Sequence, residues 1–314
     1  MVTALVGCSK SSKRLGDQPE LVAAVKAYLA AESMGFASGN PALAASLASG
    51  DAATENQVAA AALQSQMEHG DPTNYAYSVV AVTAFPLDGG ATNFISEDTT
   101  RDDSDGGIGR YLDLFQRPGP SGTWRVFAGV GLNANIDAPT LRLTAGGAHL
   151  LTAAEAQAVG ADPQAIASRY VSAMNAGVDT GQLESGTFAP SASTTGVVDS
   201  ELTFKEIYDL DGSGTLTWTA RPGGDDVQLA NGVLVFCSAQ EVKTINRATY
   251  GNTNYFVTQD AQERSFGGLL APGNYASITE TMLVSLAVVV PRSGLPDVVG
   301  MDESTTSVTD TLAR

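Results

Sequence analysis

The side chains of this chain that are able to do chemistry fall mainly in two acidic stretches. Asp209-Leu210-Asp211-Gly212-Ser213-Gly214 sets oxygen atoms on alternate residues ahead of a glycine, as in the first half of an EF-hand calcium loop. The bidentate Glu that closes such a loop at its twelfth position is replaced by Ala220, and the residues after Gly214 alternate as a strand does. An acidic hairpin turn is therefore the expected structure, with Asp209, Asp211 and Ser213 as the remaining metal candidates. Glu97, Asp98, Asp102, Asp103 and Asp105 lie ahead of Gly106-Gly107 without fixed spacing; a solvated hairpin loop is expected there, with weak cation binding as the alternative. The two histidines are far from any ligand spacing for zinc. His69 precedes Gly70 at a helix end, where an imidazolium offsets the helix dipole, and His149 lies beside Gly146 and Gly147. There is no G-x-S-x-G and no phosphate-cradling G-x-x-x-x-G-K. No catalytic residue and no cofactor is assigned.

The N-terminus carries a more specific motif. Leu5-Val6-Gly7-Cys8 is the pattern of a bacterial lipoprotein processing site, at which the Cys8 thiol receives a diacylglyceryl group and the chain is cut before it. More than one acyl chain on one residue makes a stable anchor, where a single chain binds only marginally. A signal peptide needs a basic start and an apolar stretch of about 7–15 residues, and only Met1 to Gly7 stand before Cys8. The expectation is a true start upstream of Met1. Ser9 to Arg14 then reads as a polar tether.

Composition narrows the partners. The 34 acidic residues outnumber the 17 basic ones, for a net charge of −17. Such a surface repels nucleic-acid phosphates and anionic lipid alike, so the expected membrane contact runs through the lipid on Cys8 alone. Cys237 then has no disulfide partner; it sits in the apolar run Val233–Cys237 and is expected as a small core residue. The longest apolar run, Met282 to Val290, is shorter than the ~20 residues of a membrane span.

The elements that must position these residues come in two similar sets. Tyr28–Asn40 aligns without gaps on Tyr170–Gln182, with Tyr28/Tyr170, Ala31/Ala173, Gly35/Gly177 and Gly39/Gly181 identical. Each copy opens on helical spacing: Leu21, Val25, Tyr28, Leu29 in one, and Ile166, Tyr170, Val171, Met174 in the other. Each ends on a glycine suited to a left-handed helix stop. Thr54 to Gln57 reads as a capping box opening a second helix. Strands are expected at Tyr75–Phe85, Phe94–Ile95, Ile108–Arg117 and Trp124–Leu132. After the second copy they are expected at Leu202–Tyr208, Leu216–Thr219, Val227–Ser238, Val242–Ala248 and Ile278–Val290.

This is an α+β reading, with two tandem units that each pack N-terminal helices on a curved antiparallel sheet. The divisions are 1–7 for the end of a signal peptide, 8–18 for the lipidated tether, 19–142 for the first unit, 143–162 for a linker, 163–300 for the second unit and 301–314 for a polar tail. The pattern resembles the nuclear-transport-factor-2-like (NTF2-like) cone. With the lipobox and few lysines, the chain also resembles uncharacterised lipoproteins of high-GC Gram-positive bacteria. That resemblance implies the cell envelope, on the extracytoplasmic face of the membrane, and a pocket between helix and sheet that Tyr28 and Tyr170 would line. Packing of both tyrosines as core is the alternative.

The expected function is non-catalytic binding of a partner protein or a small apolar ligand. A hydrolase- or isomerase-like enzyme using Asp or Glu with His in a cone-shaped pocket is the second reading. A calcium-stabilised scaffold or adhesion protein is the third.

Overall fold

A computed structural model describes residues 19–68, 77–88, 91–102, 106–133, 136, 141, 143, 148–180, 187–189, 214–246, 255–257 and 273–312. The fold is α+β, built on a large antiparallel sheet with a few helices. Three helices come first: α1 (Pro19–Ala37), α2 (Pro41–Ser46) and α3 (Gly50–Glu68). Leu21, Val25 and Leu29 form the buried stripe of α1, as their spacing predicts. Gly39 ends the helix with φ +53°. Its N–H bonds Phe36 O, and the Asn40 N–H bonds Gly35 O, the pair of bonds that a left-handed stop makes. Asn40 then caps α2 through the Leu43 N–H at 3.0 Å. The expected capping box at Thr54 is absent, because α3 already begins at Gly50 and Thr54 lies within it.

Four strands follow: β1 (Tyr77–Leu87), β2 (Asn93–Asp102), β3 (Ile108–Gln116) and β4 (Arg125–Leu132). β1 runs through Pro86, which pairs with Phe94. It lies at the edge of the sheet, where a missing N–H costs no ladder bond. β2 is longer than the short strand expected at Phe94 and Ile95, and it takes in Glu97, Asp98 and Asp102. These residues were expected in a loop.

The second block opens with α4 (Ala153–Ala158) and α5 (Pro163–Thr180). Within 143–162, read as linker, Thr152 and Glu155 form a true capping box on α4, and Leu150 bridges to Val227. The strands are β5 (Gly214–Ala220), β6 (Asp225–Leu229), β7 (Gly232–Asn246), β8 (Tyr255–Val257), β9 (Gly273–Pro291) and β10 (Asp297–Leu312). The single strand expected over Val227–Ser238 is thus a hairpin, β6 against β7, and the break expected before Val242 is absent. The polar segment 301–314, read as a tail, forms most of β10 as far as Leu312 and pairs with β9 throughout. Its alternating Ser and Thr residues suit a half-exposed strand better than a loose end.

The strand order is β1-β2-β3-β4-β10-β9-β7-β5, with β6 on β7 and β8 on β9. Each block contributes a run that ends on its own last strand, and the runs join where Gly131 and Leu132 of β4 pair with Met301 and Gly300 of β10. α1 packs on β1, α5 on β5 and β7, and α3 across both β4 and β10. One core lies under α1 and holds Phe94, Phe115 and Val126. A second, under α5, holds Tyr170, Trp218, Val235 and Leu286. A third joins the blocks: Ile95, Leu112, Leu114 and Val130 meet Leu234, Phe236, Ala287 and Val299. Each such side chain contributes about 1.5–3 kcal/mol on burial, so the blocks share one continuous interior.

Candidate functional site

Period-two alternation places Phe94, Ser96, Asp98 and Thr100 on one side of β2, all of them buried. Across the ladder, Phe94 faces Phe115, Ser96 faces Asp113 and Asp98 faces Tyr111. The side of the sheet under α1 is therefore aromatic at one end and acidic at the other. Phe94 and Phe115 stack at 4.6 Å. Tyr28 meets Phe115 edge-on at 5.4 Å, and Trp124 meets Phe94 at 4.7 Å.

Beyond this aromatic plug the packing opens into a chamber of ≈ 590 Å³. Tyr28, Glu32 and Phe36 of α1, Glu55 and Asn56 of α3, and Tyr77 of β1 line it, together with Asp98, Tyr111 and Asp113 of the sheet. Asp102 of β2 and Asp302 of β10 complete its acidic wall, so the second block supplies part of the lining. Gly129 on β4 makes room for Asp113, since a Cβ there would stand 2.5 Å from Asp113 Oδ1.

Glu32 is held at both oxygens. The Tyr28 hydroxyl donates to Oε1, and the Tyr77 hydroxyl lies 2.6 Å from Oε2. Asn56 Nδ2 donates in turn to the Tyr28 oxygen at 3.4 Å. Glu55 accepts from the Ser285 hydroxyl. Asp98 is different: it is 1% exposed, and neither of its oxygens receives a hydrogen bond from an N–H or O–H group. Its one available donor is the carboxyl of Asp113, and only while that carboxyl carries a proton.

Burial raises the pKa of every one of these acids. Glu32 is raised by burial against the lowering effect of its two tyrosine donors. Glu55 is pushed up to about 8 by burial, which outweighs the Ser285 hydrogen bond. Asp98 and Asp113 are both raised, first by burial and then by neighbouring carboxylates. A charged carboxylate disfavours ionisation of its neighbours, so burial and neighbouring charge act on the pair in the same direction. Asp302 is pushed up to about 6 by burial, with the Glu303 N–H working against it. Among the described residues, no Lys, Arg or His lines the chamber.

The residues singled out from sequence separate. Tyr28 lines the chamber. Its repeat partner Tyr170 is enclosed in the core, edge-on to Trp218 at 5.9 Å and Phe188 at 6.2 Å, with Met301 Sδ 3.6 Å from its hydroxyl. The alignment explains the contrast, because Glu32 in the first copy corresponds to Met174 in the second, and Met174 is fully buried. Cys8, His69, Asp209, Asp211 and Ser213 lie outside the described residues. His149 is absent from the chamber wall; its carbonyl accepts from the Gln228 N–H at 2.9 Å. Cys237 is buried, with its thiol pushed up by burial and by Asp226. It borders a smaller cavity of ≈ 120 Å³ beside Asp51 and Ser238.

Of the acidic cluster expected in a loop, Asp98 is instead a buried strand residue. Glu97 points to the other side of the sheet and pairs with Arg110 at 2.5 Å. Glu32, Glu55, Tyr77, Asp113 and Asp302 were not expected at a site. The signal for Asp98 and Thr100 was their parity with Phe94, which sets them under the helix. Among the described residues, no group of three or more His, Cys, Asp or Glu is placed to hold a metal ion, and no helix is long and apolar enough to cross a membrane. Comparison with known protein families, with curated proteins and with solved structures finds no match to this chain.

Proposed function

We propose that the protein is a non-catalytic binding protein of the bacterial cell envelope, tethered through lipid on Cys8, which holds a small ligand in the chamber beneath α1 and α3. The chamber carries this reading. At ≈ 590 Å³ it lies within the size range of small-molecule sites, and it opens between helix and sheet as in an NTF2-like cone. Helices followed by antiparallel strands, twice in one chain, support two such cones. The carboxyl groups of the lining favour a ligand that carries hydrogen-bond donors, beside the apolar surface that Phe36, Leu63 and Val126 offer.

Two experiments test this. A fatty-acid probe should label the protein when the gene is expressed from its upstream start, and Cys8→Ala should abolish the label; equal labelling of both proteins removes the tether. A thermal-shift panel of small anions, neutral compounds and cations should contain at least one compound that raises the melting temperature. Ala59→Phe, which fills the chamber from α3, should cancel that shift. A panel with no hit of any charge counts against ligand binding.

The neighbouring buried carboxyls Asp98 and Asp113 in the chamber wall, both with raised pKa, favour one second reading, an acid–base enzyme. That reading requires the bound compound to be recovered chemically changed, and unaltered recovery after prolonged incubation argues against it.

A further inference from the structure

Among the described residues, no Lys or Arg enters the chamber wall. Arg110 instead pairs with Glu97 on the opposite side of β2 and β3. Beside apolar side chains such as Phe36, Leu63 and Val126, the wall carries carboxyl groups and the rings of Tyr28, Tyr77 and Tyr111. Among the acids, Glu32 and Glu55 have hydroxyl donors from the protein, whereas Asp98, at 1% exposure, has none apart from a protonated Asp113. A buried carboxylate without a donor is costly, and what meets that need is a positively charged N–H group. A metal ion fits poorly: calcium takes six to eight oxygens at 2.3–2.6 Å, and no ligating cluster of three exists among the described residues. The chamber also has the volume of an organic molecule, and tyrosine faces attract cations.

Resting on the reading of this chamber as a ligand site, we infer that its ligand is a small organic amine whose ammonium group is seated on Asp98, with Tyr28, Tyr77 and Tyr111 in the surrounding wall. The ammonium donates the hydrogen bonds that Asp98 lacks and supplies a positive charge that no described residue brings to the wall. A seated ammonium favours the ionised form of Asp98, whose pKa burial has raised, so complex formation releases protons.

The test uses the whole protein at low salt with putrescine, choline, acetate and calcium chloride as probes, followed by melting temperature and calorimetry. Putrescine or choline should raise the melting temperature, and the heat should vary with buffer ionisation enthalpy in the sense of proton release. Asp98→Asn should weaken amine binding at least about tenfold. It should also melt higher than wild type without ligand, since a buried charge is gone, and so separate lost binding from lost folding. Asp113→Asn gives Asp98 a permanent N–H partner and should weaken binding in the same way. Glu97→Gln, on the other side of the sheet, should leave it unchanged.

Equal amine affinity in wild type and Asp98→Asn overturns the inference. So does a response to calcium alone. If a neutral or anionic compound binds while both amines fail, the amine is wrong and the chamber as a ligand site stands. If nothing of any charge binds, both fall.

Discussion

Glu55 of α3 accepts a hydrogen bond from Ser285 of β9, 230 residues further along the chain. One turn earlier in the same helix, Asp51 accepts from Ser238 Oγ at 2.6 Å. Ser238 and Ser285 face each other across the β7–β9 ladder. Two carboxylates at i and i+4 on a helix face thus grip a cross-strand pair of serines, and α3 is bound to the block that the chain makes last.

Ser285→Ala leaves the Glu55 carboxyl buried without its donor. The expected loss is about 1–3 kcal/mol, read from urea denaturation. In a Glu55→Ala background the same substitution should cost less, because no buried carboxyl is then left without its donor. Equal costs in both backgrounds would show that the contact has no energetic weight.

The pair formed by Asp51 and Arg221 offers a contrast. It closes at 2.8 Å, but its side chains are 31% and 36% exposed. Water and salt screen such a pair, so Arg221→Ala should cost under ~1 kcal/mol, and less again in high salt. A loss as large as that of Ser285→Ala would contradict the screening argument.

Stability should fall as pH rises from about 5 to 8.5. Burial raises the Glu55 pKa from its ordinary 4.5 to about 8, so between those values the folded chain holds a proton that the unfolded chain has released. Such a group's contribution is full below the unfolded pKa and is lost as pH passes the folded one. Around Glu55 stand Asp51 of the same helix, Glu32 of α1, Asp302 of β10 and Arg221 after β5, while Asp98 and Asp113 face the same chamber from β2 and β3. The carboxyls among them with raised pKa act in the same direction. Melting followed by circular dichroism should show the decline, and Glu55→Gln should flatten its upper part. A melting temperature that rises over this range would refute the argument.

Tyr28 and Tyr170 hold matching places in the repeat but should respond differently to loss of the hydroxyl. Tyr28→Phe removes a donor from buried Glu32 and should cost about 1–3 kcal/mol. Tyr170→Phe loosens a long contact to the uncharged Met301 sulfur and should cost less than Tyr28→Phe. Tyr170→Ala, which empties a packed core site, should cost about 3–5 kcal/mol. Chemical denaturation of the three variants checks the order.

Much of the fold was legible because it follows local rules. The stripes of α1 and α5, the stop at Gly39 and strands β3, β4 and β5 all lie close to where periodicity and turn residues put them. β10 was not, since alternating Ser and Thr carry no apolar signal and their strand is fixed by pairing with β9. The boundary between β6 and β7 was missed because Val227, Leu229, Val233 and Val235 are apolar on both sides of the turn at Ala230 and Asn231.

Of the chamber, only Tyr28 was foreseen. Asp98 reads as a solvated acid from its neighbours in sequence, and its burial depends on register against Tyr111. Asp302 needs the junction of β4 and β10, which no short stretch of sequence reports.

That junction also sets an order of events. A chain made from its N-terminus has α1, α3 and β1 to β4 long before Asp302 emerges, so for most of its synthesis the chamber lacks a wall. Contacts spanning such distances are slow to close, and β4 must keep its free edge from foreign strands until β10 arrives. The chamber in the first half of the molecule is therefore completed by the second half, and its closing wall is the last part of it that the growing chain supplies.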